Sequence, residues 1–144
     1  IQRRSLMSQA SDYLEDKLLD HVLRNTAFTS PTTVYVGLFT EGDSAGQNTD
    51  LLEEGTLTNE VSGFAYARKA ATFSAASGGS ITTSGNITFD PASGGNWGTI
   101  THIAILDAST AGNILFYGAL TTSKTIEDGD TFQITAGNLT VTLA

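Results

Sequence analysis

The sequence predicts a mainly β fold: one antiparallel β-sandwich, jelly-roll-like in its run of short strands, with a single N-terminal α-helix. Three observations predict it. Helical periodicity is confined to one stretch, Ser11–Arg24. From Thr32 onward, short runs of β-branched and aromatic residues alternate with breaks rich in Gly, Ser, Asp and Asn. Thr, Ser and Gly together supply 50 of the 144 residues; Thr suits a half-exposed strand, and Gly and Ser suit turns. The length fits one domain, taken as residues 11–144, preceded by an N-terminal extension or arm of residues 1–10.

In the helix, whose pattern extends back toward Ser5, Met7, Ala10, Tyr13, Leu14, Leu18 and Val22 recur at three- and four-residue steps, with Leu19 and Leu23 widening the stripe. Ser11 is placed to cap the N-terminus, where Asp12 and Glu15 complement the helix dipole. Arg24 suits the other end, and Asn25 tolerates the left-handed conformation that ends a helix. The stripe fits two roles: closing the domain's own core, or docking on a partner.

Thr32–Thr40 is apolar on both faces, with Val34, Val36 and Leu38 on one and Tyr35 and Phe39 on the other, which predicts a central strand covered on both sides. Glu41–Glu60 reads as a long solvated loop with six acidic residues and no basic one. From Val61 the alternation of Phe64, Tyr66 and Arg68 with small residues reads as a strand running on to Phe73. After a turn at Ser77–Ser80 the next strand is Ile81–Phe89, ended by Asp90-Pro91. Ser93–Gly98 is a Gly-rich turn carrying the only Trp, Trp97. Thr99–Asp107 is the most apolar strand, with Ile100, Ala104 and Leu106 assigned to one face and Ile103 and Ile105 to the other. Ile114–Leu120 returns from a hairpin loop, Glu127–Asp130 is a tight turn, and Phe132–Thr135 and Leu139–Leu143 close the domain.

Function classes fall away on composition. Seven basic residues against fifteen acidic, net charge −8, make a poor binder of nucleic acid. With no Cys there is neither a disulfide framework nor a thiolate metal site. No apolar run approaches the roughly 20 residues of a membrane helix. Asp43, Asn48 and Asp50 lack the spacing of a calcium loop. Of the carboxylate pairs, Glu53/Glu54 lies in a polar loop with little to raise a pKa for acid catalysis, and Asp128/Asp130 flank Gly129 in a hairpin turn, where Asp is favoured for turn chemistry alone. His21 reads as a surface residue and His102 as a half-buried strand residue with a hydrogen-bond partner. No enzymatic motif, cofactor or metal is expected. Trp97 in its Gly-rich loop suits a sugar, an interface or the sandwich core.

Five segments resemble a family of small tailed-phage virion proteins, often named tail fibre proteins. They are Tyr13–Thr40 (YLEDKLLDHVLRNTAFTSPTTVYVGLFT), Glu60–Phe73 (EVSGFAYARKAATF), Asn96–Ala108 (NWGTITHIAILDA), Gly112–Ile126 (GNILFYGALTTSKTI) and Gly129–Leu143 (GDTFQITAGNLTVTL). Relatives begin just before the helix, so Ile1–Leu6 reads as an extension. The resemblance implies a structural role on the virion, assembled in the cytoplasm of a bacterial host. The leading expectation is a capsid cement or decoration protein, homo-oligomeric, bound to the major capsid protein or other virion proteins. Its expected contacts are Arg3, Arg4, Leu14, Leu18 and Trp97, the two arginines meeting acidic groups on the shell. A tail, collar or fibre component is the alternative. A host-surface carbohydrate-binding module is the second, with Trp97, Tyr66 and Tyr117 as stacking rings.

Overall fold

The computed structural model describes residues 9–40 and 48–143. It is mainly β, with antiparallel sheets and an N-terminal helix. The elements in chain order are β1 (Gln9–Ala10), α1 (Asp12–Leu23), β2 (Val34–Thr40), α2 (Asn48–Glu53), β3 (Lys69–Ala71), β4 (Ser80–Thr82), β5 (Ile87–Thr88), β6 (Gly98–Leu106), β7 (Ile114–Ile126), β8 (Gln133–Ile134) and β9 (Thr140–Thr142). A five-stranded sheet in the order β1-β7-β6-β2-β3 forms one layer. Two separate ladders, β4–β9 and β5–β8, stand where a jelly roll would have a second continuous sheet.

The two-sided pattern of β2 holds. Val36 and Leu38 pair with Ile105 and Ile103 of β6 and face a large core completed by Ile87, Phe89, Phe132 and Val141 from the ladders. Phe39, Ala104 and Leu106 face the other way, into a second cluster with Ile114, Tyr117 and Leu52 of α2. Ile100 departs from its expected face. The register of β6 on β7 shifts between Ile100 and His102, and the irregularity turns Ile100 into the large core with Ile103 and Ile105.

Three other expectations are corrected. The stretch read as a solvated loop contains α2, whose Leu52 is fully buried; the apolar pair Leu51-Leu52 outweighs the surrounding acids. The run from Val61 to Phe73 is a strand only over Lys69–Ala71, because Gly63, Phe64 and Ala65 all take positive φ and fold the chain into a turn. The single strand expected over Ile81–Phe89 is two, β4 and β5, belonging to different ladders.

Helix α1 begins as its sequence specifies. The Ser11 hydroxyl accepts from the Leu14 N–H at 3.2 Å and donates to the Ile114 carbonyl, while Ser11 N–H donates to Leu115 at 2.9 Å. The cap is therefore also the bolt that fixes the helix to β7. Asn25 takes φ 57° just past the end. Among the described residues, no helix is long and apolar enough to cross a membrane.

Candidate functional site

Three places concentrate polar or apolar groups that the fold alone does not predict. The first lies over Gly37. Arg68 grips Glu60 with two parallel bonds, Nε to Oε2 at 2.7 Å and the second guanidinium nitrogen to Oε1 at 2.8 Å. Its remaining nitrogen donates to the carbonyls of Ala108 and Ala111 at 2.7 and 2.8 Å, fastening the β6–β7 loop. The Tyr66 hydroxyl donates to Glu60 at 2.7 Å and accepts from Leu38 N–H at 3.0 Å, filling a gap in the ladder beside β2. Burial pushes the Tyr66 phenol far above its ordinary pKa, and the Glu60 charge adds to this. Burial opposes the charge on Arg68, but the hydrogen bond and charge of Glu60 outweigh it and raise its pKa. Each strong group here has partners, so the cluster is structural glue. Sequence alternation hid it: Tyr66 and Arg68 read as one strand face, and Glu60 as a loop acid.

The second place is the end of the molecule built from the Gly63–Tyr66 turn, the Ser93–Gly98 loop and the Glu127–Asp130 turn. Trp97 is only 6% exposed, with its ring edge-on to Tyr66 and Phe89. Its indole N–H donates to the Phe64 carbonyl at 2.9 Å, and Ser93 N–H reaches the same oxygen at 3.1 Å. Phe64 itself is 48% exposed. Its ring lies on the Gly94-Gly95 backbone so closely that a Cβ on Gly95 would fall 2.5 Å from it. The loops are cross-tied, Gly94 N–H to Asp128 at 3.0 Å and Asp128 N–H to Asn96 at 2.8 Å.

The third place is the outer half of α1. Leu19, Val22 and Leu23 are 57, 71 and 74% exposed and share one face by their spacing. An apolar cleft of about 370 Å³, lined by Val34, Phe73, Ile81, Phe116 and Val141, opens between the five-stranded sheet and the β4–β9 ladder.

The structure does not gather the expected contact residues. Arg3 and Arg4 lie outside the described residues, as do Glu41 and Asp43. Leu14 is buried and Leu18 half-buried on α1, while Trp97 sits in the large core. Of the rings considered for sugar stacking, Trp97 and Tyr117 are buried at 6 and 3% exposure, and the Tyr66 hydroxyl is engaged inside. The stacking assignment to these three rings is therefore corrected: the folded chain uses them as core. His21 is exposed at the helix end, and half-buried His102 has its Nδ1 2.8 Å from the Thr101 hydroxyl. Carboxylates of Asp12, Glu15 and Glu53 lie within 4.8 Å of one another, the first two exposed to water.

Comparison with known families adds one finding. The family model described as Podophage GP4 fiber I protein gp80 matches residues 9–142, from the first residue of β1 to the last of β9. No curated protein matches the chain.

Proposed function

Because the chain belongs to the family described as Podophage GP4 fiber I protein gp80, we propose that it is a non-enzymatic building block of a phage fibre, held in the virion by contacts with other virion proteins. The observation that carries this reading is the match across the whole described β body. The family description favours the fibre alternative over the capsid cement that led the sequence expectations.

The geometry supports an assembly role. The strongest polar cluster, Glu60–Tyr66–Arg68, is internally bonded and has no free group to offer a reaction. The outer half of α1 instead carries three exposed apolar side chains on a helix bolted at its other end. Such a face suits burial against a neighbouring copy or another virion protein.

Mass spectrometry and cryo-microscopy of purified virions test the proposal. A small, fixed number of copies in a fibre supports it. Hundreds of copies spread over the head would restore the cement reading, and absence from the particle would remove both.

A further inference from the structure

We propose that the Phe64 turn and the Ser93–Asn96 loop form a saccharide-binding site, with the exposed Phe64 ring as its stacking platform. Phe64 and Ala65 occupy the two central positions of a tight turn, closed by Tyr66 N–H on the Gly63 carbonyl at 3.0 Å, with φ of 53° and 69°. Turns with positive φ at both central positions normally take Gly, Asn or Asp. A bulky aromatic there is strained, and such strain persists only where the surroundings over-determine it. They do so here: the Trp97 indole and the Ser93 amide both hold the Phe64 carbonyl.

The outcome of that strain is an apolar ring fixed at the surface rather than folded inward. Its placement requires bare backbone beneath it, and Gly95 supplies that. Polar groups of the right kind lie beside it. Asn96 accepts from Asp128 N–H through Oδ1, which leaves its Nδ2 to donate. Asp128 uses one carboxylate oxygen on Gly94 N–H and keeps the other as an acceptor, and the Ser93 hydroxyl has no protein partner among the described residues.

A rigid aromatic face flanked by amide, hydroxyl and carboxylate matches a pyranose, whose C–H face is apolar and whose rim is a row of hydroxyls. The adjacent turn carries Glu127, Asp128 and Asp130, so repulsion selects neutral sugars over uronic or sialic acids. The proposal rests on the fibre reading only for the source of the glycan, a bacterial surface polysaccharide.

The test is binding of the full chain to an array of neutral and acidic bacterial polysaccharides and their oligosaccharides. Wild type is expected to bind neutral glycans. Phe64→Ala should weaken binding about tenfold or more, and Phe64→Trp should retain it. Asn96→Ala, which leaves the Phe64 turn itself in place but takes the acceptor from Asp128 N–H, should weaken binding several-fold when read well below its melting temperature, so the proposal stays open to refutation if the Phe64 variants unfold. Failure of wild type to bind any neutral glycan overturns it, as does binding indifferent to both Phe64→Ala and Asn96→Ala. Self-association that depends on Phe64 in a protein that binds no glycan would mark the ring as a protein contact and overturn it as well. None of these outcomes depends on where virion microscopy finds the protein.

Discussion

The Glu60–Arg68 cluster and the outer half of α1 handle their chemistry in opposite ways. Around Gly37 a charged pair is buried, with the Arg68 and Glu60 side chains 3 and 13% exposed, and every guanidinium nitrogen is used. On α1 three large apolar side chains stand in water, more than half exposed. A chain optimised only for its own folding would do neither. Ion pairs are costly to bury, and exposed Leu and Val contribute nothing to a monomer's core. The difference teaches that the polar cluster is satisfied within the chain, while the outer face of α1 carries apolar surface that the described residues leave exposed.

The comparison breaks first at the buried pair. Arg68→Met leaves the Glu60 charge with little compensation and unfastens the β6–β7 loop, so a loss of about 3–5 kcal/mol is expected in urea unfolding. The double variant Arg68→Met, Glu60→Leu should regain part of that loss. A full-sized loss in both would mean that the carbonyl contacts of Arg68, not the pair, do the holding. Trp97→Ala should cost a similar amount, about 3–5 kcal/mol, because it opens the aromatic cluster shared with Tyr66 and Phe89.

Gly37→Ala probes the same region at smaller scale. The new methyl would lie 2.9 Å from Glu60 Oε2 and 3.1 Å from the Leu106 side chain. Glu60 is pinned by Arg68 and cannot yield freely, so a cost of about 1–3 kcal/mol is expected from the thermal midpoint. A neutral result would show that the cluster is looser than its hydrogen bonds imply.

The cluster also sets an alkaline limit. The folded Tyr66 phenol stays protonated well above its ordinary value of 10.0. Above about pH 10 the unfolded chain therefore loses a proton that the folded chain keeps, and stability falls with rising pH. Tyr66→Phe should lower stability at neutral pH by about 1–3 kcal/mol, since Leu38 N–H loses its acceptor, yet flatten the decline above pH 10. An unchanged alkaline slope in that variant would assign the decline to other tyrosines.

How much of this was legible follows from what kind of signal each part carries. α1 was readable to its caps because Ser11 and Asn25 are local signals that the tertiary structure reuses. The faces of β2 were readable because period two survives wherever a strand is regular. The Phe64 turn was not, since neither Phe64 nor Ala65 has any preference for positive φ; tertiary bonds from Trp97 and Ser93 impose it. Trp97 stands out in the sequence and its ring takes the core, one of the places its loop suits; the exposed aromatic beside that loop is Phe64, which alternation assigns to a strand. Glu60 reads as a solvent-facing acid because six acids share one stretch, and only the fold brings Arg68 onto it.

The smallest effect on folding should come from the other side of the comparison. Leu19→Gln with Leu23→Gln keeps two good helix formers on α1 and removes side chains that bury little in the isolated chain. Unfolding free energy should stay within about 0.5 kcal/mol of wild type. Copies per purified virion, or self-association in solution, should fall sharply, because the removed apolar surface is what a neighbour would cover. The two readouts separate the roles. Loss of stability without loss of assembly would make the outer helix part of the chain's own fold. Unchanged values in both would leave the exposed stripe without an assembly role and move the contact to the apolar cleft beside Phe116.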